Sequence, residues 1–224
     1  MGGMTEQRMI DLSHPIENGM ITYPGLPAPV ITDHWTRAST RAHYAPGTEF
    51  HIGRIDMVAN TGTYLDAPFH RYEDGTDVAG LPLSSLADLP CLVARVPEQR
   101  MIDVLPLDAS EVRGAAVLVH TGWSRHWGSD AYFHEHPFLT GPLASWLAEA
   151  GAALIGIDSL NIDGTQTGER PVHSTLLAAG IPIVEHLSNL ETVPERGARF
   201  FAVPAPVRGF GAFPVRAFAL AGPG

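Results

Sequence analysis

The stretch Asn60-Thr61-Gly62-Thr63-Tyr64-Leu65-Asp66-Ala67-Pro68-Phe69-His70 decides how this chain folds and where its polar chemistry lies. Alternate residues of an extended segment share one face of a sheet. Pro68 cannot donate to a strand ladder, so the strand ends there and His70 can turn back toward Asp66. An edge strand with an Asp-initiated turn is the alternative interpretation. The shared polar face carries Asn60, Gly62, Tyr64 and Asp66.

The length of 224 residues and the hydrophobic content of 45% allow one domain with a substantial core. We expect residues 1–8 to form a flexible leader and residues 9–222 to form the domain. No apolar run approaches the roughly 18 residues of a membrane span, and the first residues lack the apolar segment of a signal peptide. The sequence therefore predicts a cytoplasmic protein without membrane contact.

The charge balance favours small-molecule partners over nucleic acid. The chain has 24 acidic and 14 basic residues, a net charge of −10, and every basic residue is an arginine. An acidic surface does not suit nucleic acid, and the absence of lysine excludes a lysine Schiff base and a phosphate-loop lysine. The single cysteine, Cys91, opens an apolar strand, which predicts a buried thiol instead of a nucleophile.

The pattern of apolar residues predicts an α/β protein with more strand than helix. The clearest helix is 142–150, where Pro142 suits the first turn, Thr140 can cap it and Gly151 can end it. It joins two apolar strands, which predicts a parallel βαβ unit. A second short helix is expected at 174–179. The predicted strands are 9–16, 30–32, 50–58, 91–96, 102–105, 115–121, 153–158, 181–185, 200–203 and 215–220.

Three polar side chains lie at or just beyond the ends of predicted strands. Asp158 ends one buried strand, His173 opens the second helix, and Glu185 closes the next strand. Ligands of open α/β sheets collect at the carboxyl ends of strands. A carboxylate at the end of an apolar strand needs a metal, an arginine or a proton when it is buried. These residues are therefore candidates for the second half of a site.

The opening stretch also resembles a known signature. The cyclase superfamily of metal-dependent hydrolases, which includes kynurenine formamidase and isatin hydrolase, carries His-x-Gly-Thr-His-x-Asp-x-Pro-x-His. Asn60 and Tyr64 stand where that family has its two metal-binding histidines. The resemblance extends to the segments around His173 and Glu185 and covers roughly residues 10 to 220. The residues that match the motif are Gly62, Thr63, Asp66, Pro68 and His70.

The resemblance implies a single-domain, mixed strand-rich sheet with flanking helices, the β/β/α fold of kynurenine formamidase. It implies a hydrolase of an amide, lactam or lactone bond in a small cyclic or aromatic metabolite, an arylformamidase-like activity. It also implies divalent zinc or manganese and a homodimer or homotetramer. Metal ligands carry over onto Asp66, His173 and Glu185, and the acid/base histidine carries over onto His70.

Asn60 and Tyr64 change this expectation, because an amide and a neutral phenol are poor ligands for zinc. We expect one cation on Asp66, His173 and Glu185, with Asn60 and Tyr64 as catalytic groups that stabilise an oxyanion. A metal-free state is the open alternative, in which His70 and Tyr64 form the acid/base pair of a cyclase, dehydratase or isomerase. A catalytically silent small-molecule binding protein is a third possibility.

Three further residues are candidates for substrate binding. Thr63 lies in the matched motif, Trp123 follows a strand and could stack on an aromatic ring, and Arg170 precedes His173 in a polar loop. A packing role for Trp123 and a surface ion pair for Arg170 remain open. The chain contains no Gly-x-Ser-x-Gly elbow and no dinucleotide-binding glycine motif after a strand. A conventional serine hydrolase and a dinucleotide-dependent enzyme are therefore disfavoured.

Overall fold

The computed structural model describes residues 7–222, so most of the predicted leader lies outside the described residues. Strand β1 already begins at Arg8, one residue before the predicted start of the domain. The strands of the described part are β1 (Arg8–Asp11), β2 (Val30–Trp35), β3 (Ile52–Asp56), β4 (Tyr64–Asp66), β5 (Leu89–Arg95), β6 (Met101–Ile102), β7 (Ala116–His120), β8 (Phe138–Leu139), β9 (Leu154–Ile157), β10 (Ile183–Glu185), β11 (Ala198–Phe201), β12 (Ala212–Pro214) and β13 (Phe218–Ala221).

Helices are fewer than strands, as the sequence predicted. Within residues 7–222, α1 and α2 are single turns, and α3 and α4 lie against the large sheet. The α-helices are α1 (Arg37–Thr40), α2 (Ala109–Val112), α3 (Gly141–Ala150) and α4 (Pro171–Ala178). Short 3-10 turns occur at Pro68–His70, Leu83–Ser85, Trp123–His126, Asp130–Phe133 and Leu190–Thr192.

A nine-stranded mixed sheet forms the body of the protein, in the order β1-β13-β11-β5-β7-β9-β10-β4-β12. Its central strands β5, β7, β9 and β10 are parallel to one another. The outer strands pair antiparallel on both sides. The predicted parallel βαβ unit is confirmed, because β7 and β9 pair in parallel and α3 connects them. The expected mixed, strand-rich architecture is confirmed as well.

The central strands are apolar because both faces of the sheet are covered. Alternate residues of β7 point into two different cores: Leu118 packs with β11 residue Phe200, whereas Val117 packs with α3 residue Leu147. Cys91 is buried in β5, which confirms the prediction of a strand thiol. The large sheet therefore has an apolar core on each face.

Helix α3 closely matches its prediction. It begins at Gly141, one residue before the predicted start, and has Pro142 in its first turn. It ends at Ala150 and is followed by Gly151, whose φ of 81° few other residues adopt. Thr140 occupies the N-cap position, but its side chain makes no capping hydrogen bond. The predicted Thr140 cap is therefore wrong in its side-chain contact, although its position is right.

Strands β2 and β3 lie apart from the large sheet, and β3 is shorter than the predicted strand 50–58. They pair only with each other, in a separate two-stranded sheet with a register shift between Asp33 and Trp35. Every residue of both strands is exposed. The segment 57–63 that follows is irregular, and the large sheet resumes at Tyr64.

Strand β4 brings the motif into the large sheet between β10 and β12. Tyr64 lies directly opposite Glu185, and Asp66 lies opposite Ile183. This register places the two halves of the predicted site on neighbouring strands.

Among the helices that the structure describes, none has the length and apolar character that a membrane span requires.

Candidate active site

The alternation places Tyr64 and Asp66 on one face of β4 as predicted, whereas Asn60 and Gly62 lie in the irregular segment before the strand. Tyr64 and Asp66 point to one side, and Leu65 points into the core on the other. The Tyr64 hydroxyl donates a 2.5 Å hydrogen bond to Oε2 of Glu185. The Asn60 amide donates a longer one, 3.4 Å, to Oδ1 of Asp66. Each of the two buried carboxylates therefore has one oxygen engaged by a residue of the motif.

His70 reaches the site through a tight turn after β4. The 3-10 turn Pro68–His70 turns the chain, and Nδ1 of His70 lies 3.6 Å from Oδ1 of Asp66. Gly211 makes this approach possible, because a Cβ there would lie 2.4 Å from the His70 Cα. The sequence analysis missed this role of Gly211. The His70 side chain is 36% exposed, whereas the Asp66 side chain is fully buried.

Asp163 orients the other histidine. Its Oδ2 accepts hydrogen bonds from the backbone N–H of His173 at 2.9 Å and from the imidazole Nδ1 at 2.7 Å. Its Oδ1 accepts from the N–H of Val172 at 2.8 Å, which secures the first turn of α4. With Nδ1 bound, Nε2 of His173 is directed at Asp66 Oδ2 and Glu185 Oε1, both at 3.6 Å.

The sequence analysis also missed Asp163. Its only sequence signal is its position between the β9 strand and a histidine ten residues later. Such a carboxylate holds the histidine in one tautomer and one ring orientation, which is the usual outer-shell arrangement of metal-binding histidines.

Burial and neighbouring charges shift the pKa values of His173, Glu185 and Tyr64. Burial lowers the pKa of His173, but the hydrogen bond to Asp163 and the negative charges of Asp66 and Glu185 outweigh it and raise that pKa to about 10. Burial raises the pKa of Glu185 to about 7 despite the opposing charge of His173. Burial, followed by the charge of Glu185, also raises the pKa of the Tyr64 phenol, which stays protonated and donating.

The donor set fits one divalent cation. Oδ2 of Asp66 is buried without any hydrogen-bond partner in the described structure, and the 3.6 Å to His173 is too long for a hydrogen bond. The 3.6 Å between Asp66 Oδ2 and His173 Nε2 is close to the distance between two ligand atoms that each lie about 2.0–2.2 Å from the same zinc ion. Asp66, His70 and His173 each offer a ligand atom within 4.8 Å of the others. Imidazole and carboxylate together suit zinc or manganese.

Glu185 lies at the edge of this cluster. Its Oε1 accepts from the N–H of Ile162 at 2.7 Å, and its Oε2 accepts from Tyr64, so both oxygens already have partners. Oε1 nevertheless remains 3.6 Å from Nε2 of His173. The structure thus brings Asp66 and His173 together and adds His70 to the compact group. Glu185 is a neighbour of this group, and its Oε1 keeps one available lone pair.

A cavity of about 530 Å³ opens beside the cluster. His70 and His173 line it together with Arg71, Glu169 and Arg170. Its volume lies in the range of small-molecule sites. Arg170, a candidate for substrate binding, is therefore part of the cavity wall.

Thr63 and Trp123 belong to the scaffold instead of the cavity wall. The Thr63 hydroxyl donates to the carbonyl of His186 at 2.6 Å and accepts from the N–H of His14 at 3.0 Å. The indole N–H of Trp123 donates to the carbonyl of Tyr132 at 3.0 Å. Neither residue lines the cavity beside the cluster. The alternation of β4 explains the position of Thr63, which faces away from Tyr64 and Asp66.

Tyr64 and Asp158 also differ from their expected roles. Tyr64 is only 3% exposed and donates its O–H to Glu185, so it fixes a carboxylate and does not meet an oxyanion. Asp158 accepts from the N–H and the hydroxyl of Thr121 and from the N–H of Gly122, at 2.6–2.8 Å. Its carboxylate therefore holds the corner after β7 and does not join the cluster.

The mixed sheet, the histidine and carboxylate cluster and the adjoining cavity define the class, that of α/β enzymes with a histidine–carboxylate centre. A family model described as "Putative cyclase" matches residues 10–164, and the chain belongs to this cyclase family. The resemblance read from the sequence is confirmed.

Relatives and solved structures agree with this assignment. The kynurenine formamidase of Geobacillus thermodenitrificans is 30% identical over 210 residues, which cover 93% of this chain and 95% of that protein. A structure described as a potential metal-dependent hydrolase with cyclase activity has 30% identity and a TM-score of 0.75, over 96% and 98% of the two chains. Isatin hydrolase A of Labrenzia aggregata, 22% identical, shares the fold with a TM-score of 0.78 over 96% and 94%.

Proposed function

We propose that this protein hydrolyses the amide C–N bond of a small aromatic or cyclic amide, with arylformamides as the first substrates to test. The observation that carries the proposal is the position of His173 Nε2, 3.6 Å from two buried carboxylates at the wall of an open cavity. The similarity to kynurenine formamidases supports the choice of substrate. Lactam and lactone bonds are the further substrates to test.

We propose one divalent cation, zinc or manganese, held by Asp66, His173 and Glu185. When bound, it would polarise the amide carbonyl and lower the pKa of water. The chain prepares its ligands beforehand: Asp163 fixes the ring of His173, and Tyr64 and Asn60 each engage the outer oxygen of one carboxylate. Hydrolysis without any cation remains the alternative to be tested.

His70 is the general base of the proposal. It is the exposed member of the cluster and lines the cavity, so it can reach a water molecule next to the substrate. Asp66, 3.6 Å from Nδ1, stabilises the imidazolium that forms when His70 takes a proton. His70 then returns that proton to the leaving amine.

The metal-free alternative with an acid/base pair of His70 and Tyr64 has less support. The Tyr64 hydroxyl is buried and bound to Glu185, so it cannot exchange a proton with a molecule in the cavity. A binding protein without turnover would keep the cavity, but its ligand binding would not depend on His70.

The test combines turnover with metal content. Purified protein without a histidine tag is assayed on formanilide and N-formylkynurenine, and its metals are counted by elemental mass spectrometry. We expect hydrolysis and about one zinc or manganese per chain, both lost in Asp66→Ala and Glu185→Ala. Absence of turnover on amides, lactams and lactones with cation supplied would overturn the proposal. Turnover with no cation in any preparation would overturn the metal mechanism alone.

We further propose that the chain forms a homodimer or homotetramer through the two-stranded sheet β2–β3. Seven large apolar side chains are exposed on this hairpin and its connection: Val30, Ile31, Trp35, Tyr44, Phe50, Ile52 and Ile55. A two-stranded sheet alone is marginally stable in water, and apolar patches of this kind favour association. A second copy presents the same apolar surface and can cover it.

A further inference from the structure

The cavity beside the cluster carries two arginines that form no ion pair with a carboxylate of residues 7–222. Arg71 and Arg170 both line it, and neither forms an ion pair with the described acidic residues. The chain as a whole carries an excess of ten negative charges. Two uncompensated guanidinium groups in one small cavity of such a protein indicate an anionic ligand.

Backbone carbonyls hold the Arg170 guanidinium at one nitrogen. Its Nη1 donates to the carbonyls of Gly164, Thr167 and Glu169, at 3.4, 2.8 and 2.7 Å. Its other N–H groups make no hydrogen bond to the described residues. Because one nitrogen is anchored and the others are not, the planar group is oriented before a ligand arrives.

Arg71 is held in a similar way on a neighbouring part of the wall. Its Nε donates to the hydroxyl of Ser174 at 3.3 Å, and its guanidinium carbon lies 5.3 Å from the centre of the Tyr72 ring. The Tyr72 hydroxyl donates to the carbonyl of Ser174 at 2.8 Å, which ties this pair to α4. Both Nη groups of Arg71 remain available to a ligand.

The N-terminus of α4 also lies at the cavity but does not supply the anion site. Its N–H groups at Val172 and His173 already bind the carboxylate of Asp163, and Pro171 has no N–H. Recognition of an anion therefore falls to the two guanidinium groups. Their fixed fork geometry matches a carboxylate, which accepts two parallel hydrogen bonds from one arginine.

We propose that Arg71 and Arg170 bind a carboxylate of the substrate, which makes an amide with a separate carboxylate group the preferred substrate class. This inference rests on the proposed amide hydrolysis and adds the charge of the substrate to it. Glu169 on the same wall leaves the two arginines with one net positive charge, which suits a single carboxylate better than a doubly charged group.

Two amides that differ only in the carboxylate test the inference. The parent protein is assayed on 2-formamidobenzoate and on formanilide, and binding of 2-aminobenzoate and aniline is measured by calorimetry. We expect kcat/KM for 2-formamidobenzoate to exceed that for formanilide at least tenfold. Arg71→Ala and Arg170→Ala are each expected to lose about tenfold of this preference, mainly through KM, because a hydrogen bond to a charged group is lost.

The control variant is Arg113→Ala, which removes an exposed arginine outside this cavity. Turnover of both amides is expected to change less than threefold in Arg113→Ala. Arg71→Ala is the decisive variant, since Arg170 also holds its own loop. Equal kcat/KM for both amides in the parent, or an unchanged preference in Arg71→Ala, would overturn the inference. If the parent hydrolyses neither these amides nor the other amides, lactams and lactones tested above, the proposed function fails, and 2-aminobenzoate binding still decides the role of the arginines.

Discussion

The phenol of Tyr64 donates a 2.5 Å hydrogen bond to Oε2 of Glu185, directly across the pair of strands β4 and β10. Asn60 does the same for Asp66, at 3.4 Å. Tyr64 and Asn60, the two residues that depart from the family motif, therefore each donate a hydrogen bond to one oxygen of one buried carboxylate. The other oxygens are directed toward His173, where a single cation fits.

Histidines at both positions are expected to create a second cation site. The double variant Asn60→His/Tyr64→His replaces two hydrogen-bond donors by imidazole ligands, which bind zinc much better than an amide or a phenol. Elemental mass spectrometry should show about two zinc ions per chain after incubation with zinc, against about one in the parent. Tyr64→Phe is the control, because it removes the same hydrogen bond without adding a ligand. A count that stays at one in the double variant contradicts this assignment.

His70→Ala separates the two roles that the geometry allows this residue. As general base it supplies about 10²–10⁴ in rate, so turnover of formanilide should fall by that factor while the cation count stays at about one. As a ligand in the compact group with Asp66 and His173, its removal would lower the cation count as well. The measurement is kcat beside metal content in the same preparation. Loss of both would move His70 from base to ligand.

The sequence predicted the central part of the fold because its signals are local. The apolar runs of β7 and β9 and the capped, periodic segment of α3 report burial directly, and all three elements formed at or near their predicted bounds. The separate β2–β3 sheet was not predicted. Its alternating pattern defines a strand but does not say which strand it will pair with.

Part of the site was predicted because its signal in the sequence is also local. The period of two in β4 placed Tyr64 and Asp66 on one face correctly. Gly211 was missed because it approaches the backbone of His70, which lies far away in the sequence. Asp163 was missed because the loop that carries it has no periodic pattern that would direct its side chain to His173. Their roles depend on how loops meet in space, which no local pattern contains.

Asp163→Asn is expected to weaken the cation site without touching a ligand atom. An asparagine can still accept one hydrogen bond from Val172, but its amide nitrogen cannot accept from His173. The imidazole loses its fixed orientation, which typically costs 10–100-fold in metal affinity. A zinc titration with a competing chelator measures this. Glu169→Gln is the matched control, since it removes a nearby charge that does not bind His173. Equal affinity in both variants contradicts the role of Asp163.

Charges on the hairpin are expected to dissociate the oligomer. Ile31 and Ile55 are exposed and face each other across β2 and β3. The double variant Ile31→Glu/Ile55→Glu places four negative charges in the interface of a dimer, and desolvating them there is unfavourable. Analytical ultracentrifugation should show a dimer or tetramer for the parent and a monomer for the variant. Val104→Glu, at another exposed apolar residue, is the control. A monomeric parent contradicts the proposed association.

His14 is expected to make the fold sensitive to mild acid. It stacks on Trp127 with the ring centroids 4.0 Å apart, and burial lowers its pKa from 6.5 to about 4. The folded state therefore prefers the neutral ring, so its contribution to stability is complete above pH 6.5 and is lost as the pH falls toward 4. Between pH 7 and pH 5 this amounts to about 2 kcal/mol. His14→Phe keeps the stacked ring but cannot take up a proton. Urea unfolding at both pH values should show a smaller loss in the variant than in the parent, and an equal loss in both would contradict the assignment.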